Sequence, residues 1–368
     1  MKVLMQIRDN YLTGPGGDTI QLLKTKEALE KLGVNIDIST ELEPNLEGYD
    51  LVHIFNLTRI QESFIQTKNA IKQKKKIALS TIYWPYEEIN ADGFTGIRKL
   101  VYKLLNDDEI ESVKALYKYI FRGQRNKGCR YLITHKYSDM QKYVVNQAGI
   151  CLPNAATEMK KIEEVMGIKK DEYVVVPNAI DKENCVKAWN ESSDGFDKYK
   201  GYIVCVARIS RRKNQLMLME ALEGTDYKVL FVGKSSPGEM DYYQKFLDKL
   251  KTMENAEYVE FIPNDKLYSL YKVCKVSVLP SWFETPGLVS LEAAAMGCNI
   301  AITDKGTTRD YFGEDAYYFN LEKESMRKQI SKAYSAMPNE KLREKILTEY
   351  TWDMAAKRTL EGYRKLIG

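Results

Sequence analysis

Two carboxylates, Glu284 and Glu292, flank a turn-forming Thr285-Pro286-Gly287. A strand-like run ends at Leu279, a loop carries Glu284, and a helix bearing Glu292 in its first turns closes at Gly297. Between the carboxylates, N–H groups around Gly287 and Leu288 form the kind of concavity that holds phosphate oxygens. Compensation of the helix dipole is the plainer reading of Glu292 and stands beside the functional one. Upstream, Arg208 and Lys213 lie between a strand-like run at 202–206 and a helix-like run at 215–222. A guanidinium fork and an ammonium point charge placed so can converge on a diphosphate. An exposed basic turn is the alternative. Near the start, Gly16-Gly17 precedes a helix-like 20–32 and would let the backbone approach a ligand at a helix N-terminus. There the alternative is a tight strand-to-helix turn.

Several chemistries are excluded by spacing. A dinucleotide fingerprint would need its third glycine at Thr19, which argues against a nicotinamide dehydrogenase. Gly233-Lys234-Ser235 imitates the end of a Walker A motif, but its first glycine would fall on Lys228, inside a strand. No Asp-x-Asp occurs, and the two histidines, His53 and His135, cannot build a three-histidine metal centre. No metal is expected. The six cysteines are widely spaced with no Cys-x-x-Cys, which fits reduced thiols rather than a disulfide frame or zinc site. A net charge of +4 is too small to argue for nucleic acid.

The elements that must position these residues alternate short apolar runs with longer polar, helix-like stretches, the pattern of an α/β chain with parallel sheets. The first half offers strands at 3–7, 36–38, 50–55, 76–80, 131–134 and 173–176. The second half offers 202–206, 228–232, 258–262, 276–279 and 299–302. The polar stretch 181–200 between the series reads as a linker. Length suggests two domains, and in two doubly wound domains facing each other a ligand would lie in the cleft, beyond the strands' carboxyl ends. With no apolar run long enough to span a bilayer, and a start too soon charged for a signal peptide, a cytoplasmic protein is expected.

Taken together, Glu284-x7-Glu292 after Pro280-Ser281, the Arg208 and Lys213 pair, Gly16-Gly17 after the first strand and Val176-Pro177-Asn178-Ala179-Ile180-Asp181 resemble the retaining glycosyltransferases of the GT-B fold, family four. The resemblance covers nearly the whole chain. It implies two Rossmann-like domains facing across a cleft: an acceptor-side domain at 1–180, onto which a helix at 350–368 crosses back, and a nucleotide-sugar domain at 181–349. Arg208 and Lys213 would grip the donor diphosphate, Glu284 the hydroxyls of the transferred sugar, and Glu292 the ribose. Backbone groups near Phe261-Ile262-Pro263 would meet the base. Gly16 and Gly17 would approach the phosphate and acceptor side. Glu284, Arg208 and Lys213 are thus the catalytic candidates; Gly16, Gly17, Ile262, Gly287, Leu288 and Glu292 complete the donor site. Many members carry His-Gly after the fourth strand, where this chain has Ser80-Thr81-Ile82-Tyr83-Trp84-Pro85, so that histidine's role does not transfer. His53 and Tyr83 are the acceptor-side candidates, with a structural role for His53 as the alternative.

The expected activity is metal-free transfer of a hexose-type sugar, with retention, from a UDP- or GDP-sugar to a glycan or lipid-linked glycan, in surface polysaccharide assembly. A sugar-nucleotide epimerase and a silent nucleotide-sugar-binding scaffold are the rivals. The segment 112–130 carries Lys114, Lys118, Arg122, Arg125, Lys127 and Arg130, no acidic residue, and interleaved aromatics. It could rest on an anionic membrane surface at the inner face of the cell membrane, or be a solvated helix with one core face.

Overall fold

The computed structural model describes residues 1–85, 105–121, 126–192 and 195–368. The chain divides into two compact units, Met1–Asn178 with Trp352–Gly368, and Ala179–Thr351. In the first, β1 (Lys2–Gln6), β2 (Asn35–Ser39), β3 (Leu51–Phe55), β4 (Lys76–Ser80) and β5 (Ile150–Cys151) form a parallel sheet in the order β2-β1-β3-β4-β5. The register sets Val3 opposite Ile36 and Leu51, and His53 opposite Ala78. β3 is buried along its whole length, as a strand covered on both faces must be. Leu4, Val52, Ile54 and Leu79 pack in one core with Phe64, Val144 and Met159 from the helices. The helix Trp352–Ile367 completes this unit and buries Ala355, Ala356 and Tyr363.

In the second unit, β6 (Ile203–Val206), β7 (Val229–Val232), β8 (Ala256–Val259), β9 (Val276–Leu279), β10 (Asn299–Thr303) and β11 (Tyr317–Phe319) are parallel in the order β11-β10-β9-β6-β7-β8. The inner strands are buried along their whole length, whereas the edge strand β8 is only partly covered. The strand order reverses between β1 and β3 in one sheet and between β6 and β9 in the other. Loops after strands at such a reversal diverge to opposite faces and leave a crevice where ligands bind. The loops concerned are 7–16 and 56–59 in the first unit, and 207–214 and 280–287 in the second.

Three expectations are corrected. Residues 131–134 are not a strand but the end of the helix Lys127–Thr134, begun by Asn126, whose side chain accepts from the Cys129 amide at 2.8 Å. The fifth strand is instead Ile150–Cys151; residues 173–176 run extended beside it, joined at Tyr173 by one bridge and by Val174 N to Cys151 O at 3.0 Å. Within 181–200 the structure has a helix, Lys182–Asn190, capped by Asp181, and a short 3₁₀ turn, Asp197–Tyr199. The described residues of that stretch are a folded part of the second unit, not a linker.

Candidate functional site

The second unit gathers its charged groups where its strand order reverses. After β6 the chain makes a 3₁₀ turn, Arg211–Lys213, opened by Ser210, whose hydroxyl caps the Lys213 amide, and closed by Asn214 in the left-handed region. The turn sends Arg211 to one side and brings Arg212 and Lys213 to Glu284 on the other. Arg211 pairs with Asp241, and its amide donates to Glu239 Oε2 at 2.7 Å. Arg212 donates to Phe283 O at 3.3 Å and lies 3.9 Å from Glu284 Oε1. Lys213 makes a buried ion pair with Glu284 Oε1. Burial pushes the Glu284 carboxyl up, but Lys213 and Arg212 together outweigh it and hold it below its ordinary value, so the group is an anion at neutral pH.

Glu284 is fixed from behind by the loop after β10. Its amide donates to Lys305 O at 3.3 Å, and its carbonyl accepts from the Thr307 amide at 2.9 Å. This close approach requires Gly306: its φ is +94°, and a Cβ there would lie 1.9 Å from Glu284 O. Gly287, at φ +63°, caps the helix Leu288–Ala295 and turns its N-terminus outward from the same loop. Glu292 lies on that helix, partly buried, and is pushed up to about 7 by burial and then by Asp181.

Beside this cluster, a pocket of about 160 Å³ opens at the ends of β6, β7 and β8. Val206, Arg208, Gly233, Lys234, Phe261 and Ile262 are among its walls. Phe261 is 59% exposed, and the Lys234 ammonium lies 4.8 Å from its ring centroid. The structure thus brings Arg208 and Ile262 to one pocket, joins Lys213 to Glu284, and sets Gly287, Leu288 and Glu292 along one helix start. Arg212 and Gly306 were not found by sequence reasoning. A glycine shortly after a strand's carboxyl end was the available signal for Gly306.

In the first unit, Gly16 caps the helix Gly17–Lys31. The free N-terminus expected there already has an anion of its own, because Asp18 Oδ1 accepts from the Thr19 amide at 2.9 Å. Arg8 grips that carboxylate by both oxygens, at 2.6 and 3.0 Å, and Asn56 donates to it at 3.2 Å. Burial pushes the Asp18 carboxyl up, but these partners hold it below its ordinary value. His53, expected on the acceptor side, lies in the middle of β3, 1% exposed, with Nδ1 2.7 Å from Tyr363 Oη and Nε2 2.8 Å from Ser80 Oγ. Burial pushes it down to about 3, so the ring stays neutral and is committed to the interior. Tyr83 is also buried, and its amide donates to Glu158 Oε1 at 2.7 Å. Neither side chain is offered to an acceptor. All six cysteines are buried, and none forms a disulfide.

Residues 187–349 match the family model of the glycosyl transferases group 1. A D-inositol 3-phosphate glycosyltransferase of Nocardia farcinica is 25% identical over 179 residues, which are 45% of this chain and 40% of that protein. The chain therefore spans less than half of that relative's length. Sucrose-phosphate synthase from Thermosynechococcus elongatus superposes with a TM-score of 0.69 at 15% identity, covering 99% of this chain and 98% of that one. Anabaena HepE, solved in complex with UDP-glucose, gives 0.71 at 13% identity over 100% of both chains. At such identities the likeness is one of fold, and the fold is that of the GT-B glycosyltransferase structures.

Proposed function

We propose that this chain is a glycosyltransferase that moves a hexose-type sugar from a UDP- or GDP-sugar, with retention and without a metal ion. The observation that carries the reading is the buried Lys213–Glu284 pair at the strand-order reversal, inside the segment that matches the family model. Arg208 and Lys213 hold the diphosphate, Ile262 and Phe261 border the base, Glu292 takes the ribose hydroxyls, and Glu284 takes hydroxyls of the sugar. The bond from the anomeric carbon to the phosphate oxygen breaks as the acceptor oxygen attacks from the same face. The acceptor's proton passes to the departing phosphate oxygen. Fixed cations stabilise the charge that grows there, the work a metal does in other transferases. HepE's complex with UDP-glucose supports a UDP-sugar as the first donor to try.

The test is nucleotide release from a panel of UDP- and GDP-sugars, with and without glycan or lipid-linked acceptors, in EDTA. Acceptor-dependent release of UDP or GDP supports the reading. Sugar-nucleotide conversion without acceptor, or binding without release, overturns it. A requirement for added magnesium or manganese overturns the metal-free part alone.

A lipid-linked glycan acceptor and a place on the cytoplasmic face of the membrane, in surface polysaccharide assembly, extend this reading. Val113, Leu116, Tyr117, Ile120 and Phe121 stand exposed on the helix Asp107–Phe121, at intervals that put them on one side. The basic composition of 112–130 supports an anionic lipid surface as what covers them. Arg122 and Arg125 lie outside the described residues, as does the side chain of Lys118. Among the described residues no helix is long and apolar enough to cross a membrane. Vesicles containing anionic lipid should bind the protein at low salt and release it at high salt; no binding at low salt overturns this extension.

A further inference from the structure

Arg8 follows β1 and is 5% exposed, and its partners lie on the loop that follows it and on the buried first turn of the helix Gly17–Lys31. Beyond its two bonds to Asp18, Nη1 donates to Asn10 O at 3.1 Å and Asn10 Oδ1 at 2.7 Å. Nη2 donates to Gly14 O at 3.0 Å and Thr19 Oγ1 at 3.2 Å. Thr19 Oγ1 in turn donates to Tyr11 O at 3.1 Å and accepts from the Gly16 amide at 3.3 Å. Residues 10, 11, 14 and 16 are therefore all tied, directly or through Thr19, to one guanidinium. The loop's outer residues Leu12, Thr13 and Pro15 are exposed. A buried ion pair is a poor device for stability alone, because well-packed apolar residues of similar volume serve as well or better. A planar fork with five donors is, however, a good device for fixing a glycine-bearing backbone that would otherwise sample many shapes. The loop stands where the first sheet's strand order reverses, the place where a ligand meets such a unit.

We propose that Arg8 is a positioning residue. With Asp18 to compensate its charge, it forms the internal frame of the loop at 9–17 and holds the backbone of Gly14 and Gly16 in the shape that meets the acceptor. What the loop meets rests on the glycosyltransferase reading; that Arg8 frames the loop does not.

The informative variant is Arg8→Met/Asp18→Leu, which removes both charges together and leaves neither buried alone. Single variants Arg8→Met and Asp18→Leu each leave an unpaired charge and serve as controls for misfolding. Amide hydrogen exchange on the full chain should show residues 10–17 of the double variant exchanging about tenfold or more faster, with the strands of both sheets unchanged. UDP or GDP affinity should stay within about twofold, the nucleotide groups being in the second unit, while kcat for donor consumption falls about tenfold or more through lost orientation. Unchanged exchange in the loop overturns the framing role, and wild-type kcat in a variant with a loosened loop overturns the positioning role. Global loosening of the first unit in the double variant shows that the pair serves stability and also overturns the proposal. Failure of the wild type to bind or consume any sugar nucleotide sinks the glycosyltransferase reading, and the exchange result still decides whether Arg8 frames the loop.

Discussion

Lys213 and Glu284 compensate each other where little water can do so, since their side chains are 15% and 5% exposed. Removing one leaves the other buried and charged, at a cost of about 3 kcal/mol. Lys213→Ala should therefore lower stability as well as nucleotide affinity, whereas Lys213→Met/Glu284→Leu should recover most of the stability and none of the affinity. Denaturant unfolding with calorimetric UDP titration separates the two, and wild-type stability in Lys213→Ala would refute the pairing. Glu292 behaves oppositely. Its carboxyl is raised to about 7 in the folded chain against an ordinary value of 4.5, so the folded state prefers it protonated. That contribution is fully present below about pH 4.5 and is lost as pH rises through about 7. Glu292→Gln should accordingly gain roughly 1–3 kcal/mol over the wild type at pH 8 and little at pH 4. Where the ionised form binds ribose hydroxyls, wild-type nucleotide affinity should rise between pH 6 and 8 and that of Glu292→Gln should not. A flat wild-type profile would remove Glu292 from the ribose.

The loops that carry these side chains are held by other loops. Gly306 lets the turn after β10 press against Glu284, and Gly306→Ala must push that turn away because its Cβ would meet Glu284 O at 1.9 Å. We expect a loss of about 2 kcal/mol or more and a fall in kcat, with nucleotide affinity less affected because the pocket at β6, β7 and β8 is built from other segments. Equal kcat in Gly306→Ala and wild type would show that Glu284's backbone position is immaterial. This support was not legible in the sequence, because it joins Glu284 to Gly306 on a later loop, and their meeting depends on the sheet order. The strands were legible for a physical reason: parallel strands covered on both faces read as unbroken apolar runs, as in Ile203–Val206 and Val229–Val232. Residues 131–134 misled because a short apolar run has no period long enough to tell helix from strand, and Asn126 three residues before Cys129 was the cap signal that decided it. His53 misled because its apolar neighbours marked a strand but not which face of it would be closed by a helix some three hundred residues later. The carriers of charge, Arg208, Lys213, Glu284 and Glu292, were found from turn chemistry and spacing. Their pairing, 71 residues apart for Lys213 and Glu284, was not.

At the scale of the molecule, the backbone passes between the two units twice, after Asn178 and after Thr351. The first unit is therefore finished by the helix Trp352–Ile367, which supplies the Tyr363 hydroxyl to His53 and reaches Lys76, whose ammonium donates to Ile367 O at 2.8 Å. Tyr363→Phe leaves a buried ring nitrogen without its partner, which costs about 1–3 kcal/mol. Amide exchange should quicken in β3 and β4 while the second sheet keeps its protection; equal loosening of both sheets would contradict the division into units. The same double passage sets an order of events on the ribosome. A nascent chain folds its domains as they emerge, ordinarily the N-terminal one first, at about 5–20 residues per second. Here the N-terminal unit cannot close until the whole of 179–351 has been made, on the order of ten seconds later. Through that interval it waits with His53 uncapped and with β4 and β5 lacking the cover of the helix Trp352–Ile367, while the unit translated after it is the first able to finish.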